Sequence, residues 1–240
     1  MRNSLLAVLL LSAAPAVMAD DVEITCGSCE DQFQTMAEDL VATIDYKAAG
    51  PAEATGITGF GVGLVTTYVP VDEQDWEAVT GSNDFSAIGL VGLQATKGLP
   101  FGIDLGLYYA TAPGTNVDAI GGEIRYAFLE GGAATPAVAL RLAHVVVNGI
   151  DSFDLGSTSV DVGVSKGFGP FTPYGGIGYV DGSADPTDAS VSAAVGGEAE
   201  VSGTKLYVGA RLSLGLIEFT PQVDQVDSVT SYSLRIGFSI

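Results

Sequence analysis

Residues 101–109 read Phe-Gly-Ile-Asp-Leu-Gly-Leu-Tyr-Tyr, and the alternation within this stretch decides the fold. Side chains of a β-strand point in turn to its two faces. One face therefore carries Phe101, Ile103, Leu105, Leu107 and Tyr109, and the other carries Gly102, Asp104, Gly106 and Tyr108. The first face suits lipid and the second suits a polar interior. This division predicts one strand of a transmembrane β-barrel, which is apolar outside and polar inside.

The same two-residue period recurs from Gly56 onward. It predicts spanning strands at residues 57–69, 85–97, 101–112, 118–129, 136–147, 158–167, 171–181, 203–214, 217–225 and 230–240. We therefore predict an all-β fold, an antiparallel transmembrane β-barrel of about ten strands over residues 56–240. Eight or twelve strands also fit, because the seventh and ninth segments alternate weakly.

Composition agrees with a membrane barrel and excludes one class of partner. Apolar residues make up 47% of the chain and charged residues only 16%, whereas a secreted soluble protein normally has a more charged surface. The net charge of -20 excludes a nucleic-acid partner, because neutralising phosphates requires clustered Lys and Arg.

Residues 1–19 have the features of a secretory signal peptide. Arg2 is basic, an apolar run extends from Leu5 to Ala13, and the small-residue site Val17-Met18-Ala19 precedes two aspartates. Residues 20–55 are then predicted to form a separate N-terminal periplasmic segment. Its Cys26 and Cys29 are expected to form a local disulfide in an oxidising compartment. The redox C-x-x-C alternative would require a thioredoxin-like βαβ context, which is absent.

A helix is predicted between Glu30 and Tyr46, because apolar residues recur there with the helical period. They are Phe33, Met36, Ala37, Leu40, Val41 and Ile44. This helix could plug the barrel, lie against the inner leaflet, or contact a periplasmic partner. Burial inside the barrel would require an apolar lumen patch, which the alternation does not locate.

The connections alternate in length, and this predicts the orientation. Short turns at 97–100, 130–132, 167–170 and 215–217 are assigned to the periplasm, and the mostly longer loops at 70–84, 112–117, 148–157, 181–202 and 225–229 to the exterior. An even number of strands then puts both termini in the periplasm. The exterior loops are rich in Asp and Glu and contain no Lys or Arg.

Charged residues on the strands lie at the alternate positions that face the polar interior. The predicted lumen-facing charges are Asp104, Glu123, Arg125, Arg141, Asp161, Lys205, Arg211 and Arg235, with Glu218 as a further acid. Two interpretations follow: a core of ion pairs in a filled barrel, or a narrow passage whose basic bias favours small anions.

Other candidate chemistry is poorly supported. The acidic loops do not match a Ca²⁺-binding pattern, so a solvated acidic face explains them and no metal site is predicted. His144 is the only histidine, and Asp151, Ser152 and Asp154 are near it in sequence, but no motif fixes their geometry. We predict no catalytic residues and no cofactor. Gly59-x-Gly61-x-Gly63 is interpreted as close packing on the lumen side of a strand rather than as a nucleotide loop.

The chain resembles bacterial outer-membrane β-barrel proteins in its alternating C-terminal strand, although it ends in Ile240 with the aromatic residue at Phe238. It also resembles a proteobacterial barrel family of unassigned function, in the stretches Gly56-Ile57-Thr58-Gly59-Phe60, Lys97-Gly98-Leu99-Pro100-Phe101 and Gly121-Gly122-Glu123-Ile124-Arg125-Tyr126-Ala127 and in the shorter Tyr46-Lys47 and Pro51-Ala52-Glu53. The resemblance implies outer-membrane lipid and lipopolysaccharide as surroundings and the barrel assembly machinery as a partner of the last strand.

Three functional hypotheses remain. The first is a non-enzymatic outer-membrane protein, either structural or a narrow passage for small, anionic solutes. The second is a barrel enzyme that acts on lipid or peptide through His144. The third is a surface-binding or adhesion module that uses the acidic exterior loops.

Overall fold

The structure, a computed structural model, describes residues 22–82, 86–132 and 134–240. The predicted signal peptide lies outside the described residues. The helices are α1 (Glu30–Ile44), α2 (Glu73–Thr80) and α3 (Ala189–Val195), and the strands are β1 (Phe60–Pro70), β2 (Ala87–Gly98), β3 (Ile103–Thr111), β4 (Asp118–Glu130), β5 (Ala137–Asn148), β6 (Phe153–Ser165), β7 (Phe171–Pro186), β8 (Ala199–Leu214), β9 (Ile217–Val226) and β10 (Val229–Ser239).

The ten strands form one closed antiparallel barrel, so the predicted fold and strand number are confirmed. Each strand pairs with its neighbours in sequence, and β1 pairs with β10, from Gly61 opposite Ser239 to Tyr68 opposite Tyr232. Closure leaves no free sheet edge, and it is the way in which strands satisfy their backbone groups in lipid.

Three strands extend four or more residues beyond their predicted bounds. β6 begins at Phe153, β7 continues to Pro186 and β8 begins at Ala199. These extensions contain Gly, Ser and Asp, which are poor strand formers. Pairing along the β6–β7 and β7–β8 hairpins decides their conformation instead, because strand propensity depends strongly on context.

The outer surface is apolar, as a lipid-facing surface requires. Exposed aromatic side chains lie near both edges of this surface. Towards one end they are Tyr68, Tyr109, Tyr179 and Tyr232, and towards the other they are Phe60, Tyr126, Phe128, Phe171 and Phe238. Aromatic girdles of this kind mark the two membrane interfaces of transmembrane barrels. No helix among the described residues is long and apolar enough to cross a membrane.

The two ends of the barrel differ. We call the end with α2, α3 and the longer connections the loop end, and the end where β1 begins and β10 finishes the turn end. α2 lies between β1 and β2, and α3 lies between β7 and β8. The sequence predicts loops in both regions. α2 begins where the Asp72 side chain accepts a hydrogen bond from the Gln74 amide and ends at Gly81, which has a positive φ of 71°.

Helix α1 lies inside the barrel. It contacts β1, β2, β5, β6, β7, β8 and β10, which are strands on all sides of the wall. Phe33, Met36, Ala37 and Val41 have no exposed surface. Of the three locations considered for this helix, the structure shows the plug. Residues 22–55 are therefore not a periplasmic segment outside the barrel, which corrects that prediction.

The N-terminal segment enters the lumen from the loop end. The Thr25 amide donates to the Val79 carbonyl in α2, and the Cys29 amide donates to the Ala194 carbonyl in α3. At the turn end, the Phe60 amide donates to the carbonyl of Ile240. The described N-terminal residues and the C-terminus thus lie at opposite ends, which corrects the prediction that both termini lie on one side. The even strand count governs only where β1 starts and β10 finishes, because the residues before β1 run back through the lumen.

An apolar lumen patch accommodates the helix. It occupies the half of the lumen near the loop end, and its buried members include Val65, Val69, Leu90, Ala110, Val145, Phe153, Leu155, Val180 and Val201. Phe153, Leu155 and Val201 lie in strand extensions that the sequence analysis left as loop. The predicted strands therefore do not contain the whole patch, and their alternation does not locate it.

Candidate functional site: the plugged lumen

The loop-end half of the lumen is a hydrophobic contact between α1 and the wall. The rings of Phe33 and Phe153 meet edge to face, with their centroids 5.7 Å apart, a favoured aromatic geometry. Val41 packs over Gly182 of β7, where an added Cβ would lie 3.0 Å from the Val41 methyl groups. The small residue at position 182 therefore allows the helix to approach the wall closely.

Helix α2 covers the plug at the mouth. The Trp76 indole Nε1 donates to Oδ2 of Asp39 at a distance of 2.9 Å, and Trp76 is completely buried. Burial raises the pKa of Asp39 to about 6, because desolvation penalises the carboxylate; the bond from Trp76 opposes this rise, and Glu38, Asp75 and Asp72 add to it.

Below α1 the lumen is polar, and the chain continues through it without regular structure. Asp45 forms a buried ion pair with Lys205 of β8, and the Lys205 Nζ also donates to the Tyr46 carbonyl at 2.8 Å. The Lys47 Nζ donates to the Ala42 carbonyl in the last turn of α1 at 2.7 Å. Both ammonium groups therefore satisfy backbone carbonyls at the end of the helix.

The backbone of residues 49–55 is held by side chains of the wall. The Ala49 amide donates to Oε1 of Gln222 at 2.8 Å, and the Ala52 amide donates to the Ser165 hydroxyl at 3.0 Å. The Arg125 Nη1 donates to the Pro51 carbonyl at 2.8 Å. Irregular backbone at membrane depth requires such partners, because no bulk water can satisfy it.

Each of the charges predicted to face the lumen takes part in an ion pair or a hydrogen bond. Arg125 pairs with Asp104 at 2.6 Å. Arg141 lies 2.9 Å from Glu123 and 3.9 Å from Asp161, and Asp161 accepts a hydrogen bond of 2.8 Å from Tyr207. The remaining pairs are Lys205–Asp45, Arg211–Glu53, Arg211–Glu218 and Arg235–Glu218.

Two of these partners, Asp45 and Glu53, were missed by the sequence analysis. Both belong to the plug segment, where no strand parity marks which side chains meet the wall. The inward-facing Lys205 and Arg211 were the available sign that acids must come from elsewhere, because the residues opposite them on β7, Gly178 and Thr172, carry no charge.

A vestibule of about 230 Å³ opens at the turn end. Arg125, Arg211 and Arg235 line it together with Glu53, Glu123 and Glu218. Arg235 lies along β1, where a Cβ on Gly63 would be 2.7 Å from its Nε. The alternating glycines of β1 therefore make room on the lumen side for this guanidinium group.

His144 lies outside this site. Its neighbours Ala143 and Val145 are buried in the lumen, so His144 faces outward, and its Nδ1 is 2.9 Å from the Thr158 hydroxyl. Asp181 is opposite Thr158 on the next strand, β7. It is therefore two strands from His144, or about 10 Å at roughly 4.8 Å per strand. Asp154 lies on the same face of β6, four residues before Thr158, so that the two residues are about 13 Å apart along the strand. Neither carboxylate is within hydrogen-bond reach of the imidazole.

The other candidate sites are at the loop end. Cys26 and Cys29 form the predicted disulfide. Among the residues that the structure describes, no cluster of three or more His, Cys, Asp or Glu side chains could hold a metal ion.

The barrel and its lumen define the class: a transmembrane β-barrel of ten strands that is filled by its own N-terminal segment. No protein family and no curated protein matches the sequence. Similarity is found among solved structures.

The N-terminal β-barrel domain of OprF from Pseudomonas aeruginosa is 12% identical over 77% of this chain and 99% of that one, with a TM-score of 0.33. The outer membrane protein OprG from the same organism is 14% identical over 79% and 98%, with a TM-score of 0.33. Ail, the attachment invasion locus protein of Yersinia pestis, is 12% identical over 76% and 97%, with a TM-score of 0.32. These likenesses concern the barrel fold and assign no activity.

Proposed function

We propose that this protein is a non-enzymatic outer-membrane barrel that is closed at rest and acts as a structural scaffold for its loop end. The observation that carries the proposal is the plug: α1 and residues 45–55 occupy the lumen from the loop end to the vestibule. A narrow passage for small anionic solutes would require this whole segment to move.

The energy of the hydrophobic half favours the closed form. α1 buries five apolar side chains larger than alanine, namely Phe33, Met36, Leu40, Val41 and Ile44. Burial of such side chains stabilises by about 1.5–3 kcal/mol each, or about 8–15 kcal/mol together.

Conductance in planar bilayers tests the closed barrel. The wild-type protein is expected to show no single-channel steps, and a variant lacking residues 22–55 is expected to show them. Because a deletion could impair folding, the full-length Val41→Asp variant provides a second way to expel α1. Wild-type steps as large as those of both variants would refute the proposal.

A second candidate function, binding of cationic partners at the loop end, is favoured by the distribution of charge. The loop end and its plug entrance carry many carboxylates, whereas every Lys and Arg after Arg2 lies in the lumen, the plug or the turn end: Lys47, Lys97, Arg125, Arg141, Lys166, Lys205, Arg211 and Arg235. Such a surface attracts cations through a field that salt screens within about 8 Å at physiological ionic strength.

Binding of a lysine-rich peptide to the barrel in nanodiscs tests this candidate. Wild-type binding is expected to weaken steeply as salt increases, and a triple Asp→Asn variant at positions 151, 154 and 185 is expected to bind less. A matched variant with Glu130→Gln at the turn end should bind like the wild type. Equal binding by the triple variant would contradict the candidate function.

A further inference from the structure

The vestibule at the turn end contains two arginines that are not fully engaged by the fold. Arg125 is held by Asp104 and by the Pro51 carbonyl. Arg211 and Arg235, in contrast, share one carboxylate: Glu218 lies 3.6 Å from Nη1 of Arg211 and 3.4 Å from Nη1 of Arg235. Two guanidinium groups therefore face the same cavity with one wall carboxylate between them.

Glu53 supplies the second carboxylate, and its ion pair is the most exposed of those in the lumen. Its Oε2 lies 3.3 Å from Nη2 of Arg211, and the two side chains are 37% and 23% exposed. The Arg125–Asp104 pair is shorter, at 2.6 Å, and its side chains are 0–8% exposed. Partly exposed pairs contribute little to stability, so Glu53 can leave Arg211 without loss of the barrel.

Glu53 contacts only one of the two N–H groups, Nε and Nη2, on one edge of the Arg211 guanidinium group. A guanidinium group binds a carboxylate most strongly through two parallel N–H bonds. Glu53 reaches Nη2 alone, and Nε of Arg211 is buried and makes no hydrogen bond within the described residues. A buried donor left without a partner is costly, and a carboxylate placed across Nε and Nη2 would satisfy it.

We propose that the vestibule is a binding site for a small carboxylate ligand, which takes the place of Glu53 on the Nε–Nη2 edge of Arg211. With Glu53 displaced, the lining carries Arg125, Arg211 and Arg235 against Glu123 and Glu218, an excess of one positive charge for the carboxylate to meet. The cavity of about 230 Å³ accommodates a ligand of a few carbon atoms. This site lies at the end opposite the loops and does not depend on the function proposed above.

Titration of the full-length protein with succinate tests the site, with the Arg211 Nε–H signal in nuclear magnetic resonance spectra as the readout. The Arg211 signal is expected to shift saturably, and the Arg125 signal is expected to stay constant. Glu53→Gln removes the resident carboxylate and should tighten succinate binding by about two- to fivefold. Arg211→Gln should weaken binding by more than about tenfold, as measured by calorimetry.

Lys166→Gln is the matched control, because it removes one positive charge at the turn end outside the vestibule. It should bind succinate like the wild type. Three results would overturn the proposal: no saturable shift with succinate, Glu53→Gln binding no tighter than wild type, or an equal response to inorganic phosphate or chloride at the same ionic strength. Because binding is measured without conductance, its outcome is separate from that of the bilayer experiment.

Discussion

The indole of Trp76 and the carboxylate of Asp39 are joined by a hydrogen bond of 2.9 Å, which connects the first loop of the barrel to the helix inside it. Both residues are buried. Within the described part of the chain, Asp39 forms no ion pair, and the charged groups that act on it, Glu38, Asp72 and Asp75, are all acidic. The contact therefore places a buried carboxyl group without a cationic partner at the point where α1 meets α2.

This carboxyl group makes plug stability depend on pH. The pKa of Asp39 is raised from 3.8 to about 6 in the folded protein, so the folded state binds the proton more tightly than the unfolded state. Stability should therefore decrease as pH rises from about 4 to 6 and remain lower above that range. Asp39→Asn keeps an acceptor for Trp76 and should stabilise the protein at pH 7.5 but not at pH 4.

The single tryptophan provides the measurement for Asp39→Asn: urea titration followed by Trp76 fluorescence at both pH values. Glu77→Gln, an exposed substitution on α2, is the control and should show no such difference. If the Asn variant gained nothing at pH 7.5, burial of the Asp39 carboxylate would not be costly.

Phe33→Ala tests the hydrophobic half of the plug. Phe33 has no exposed surface and meets Phe153 edge to face, so truncation should cost about 3–5 kcal/mol through lost burial and the cavity left behind. Hydrogen exchange of the α1 amides should become faster. Ile57→Ala, at a position that is 63% exposed, should leave the exchange unchanged; similar acceleration by both substitutions would contradict the location of α1.

Arg125→Ala and Arg211→Ala should differ strongly in stability, although both remove a lumen arginine. Loss of Arg125 leaves Asp104 charged and fully buried, at a cost of about 3–5 kcal/mol. Loss of Arg211 breaks only partly exposed pairs and should cost less than about 1 kcal/mol. Urea unfolding in lipid vesicles measures both.

The Arg125→Ala and Asp104→Ala double variant should be less destabilised than the sum of the two single variants, because neither charge is then left alone. An additive result would show that the two side chains do not interact as the 2.6 Å contact implies.

Because the N-terminal segment runs through the lumen, Glu23 at the loop end and Leu216 at the turn end should be accessible from opposite sides of the membrane. In a Cys26→Ser and Cys29→Ser background, Glu23→Cys at the loop end should react with a membrane-impermeant maleimide on intact cells, and Leu216→Cys in the β8–β9 turn should not. The reverse pattern would show that the barrel is inserted the other way round. Equal labelling at both positions would contradict the path of the plug.

The sequence by itself determined the barrel. In the strand around Leu105, in β4 around Arg125 and in β8 around Lys205, the two-residue period assigns each side chain to lipid or lumen, because the pleat of a strand fixes that choice locally. Charged residues followed the same parity, since a charge facing lipid is costly. Strand order follows from such local information together with the short turns between strands, whereas the strand number followed only to within two, because the seventh and ninth segments alternate weakly.

Only the tertiary structure decided what fills the barrel. The helical period of Phe33, Met36 and Leu40 marks an apolar face but not what covers it. The part of the wall that buries this face is formed by Val65, Val145 and Val180, which are far apart in sequence and meet only when the barrel closes. Asp45 and Glu53 lie in a segment without helical or strand periodicity, so the sequence does not show which wall residues they contact. Local pattern therefore specified the wall. Long-range packing specified the plug, the end of the barrel at which the described residues enter the lumen, and the use of the lumen charges.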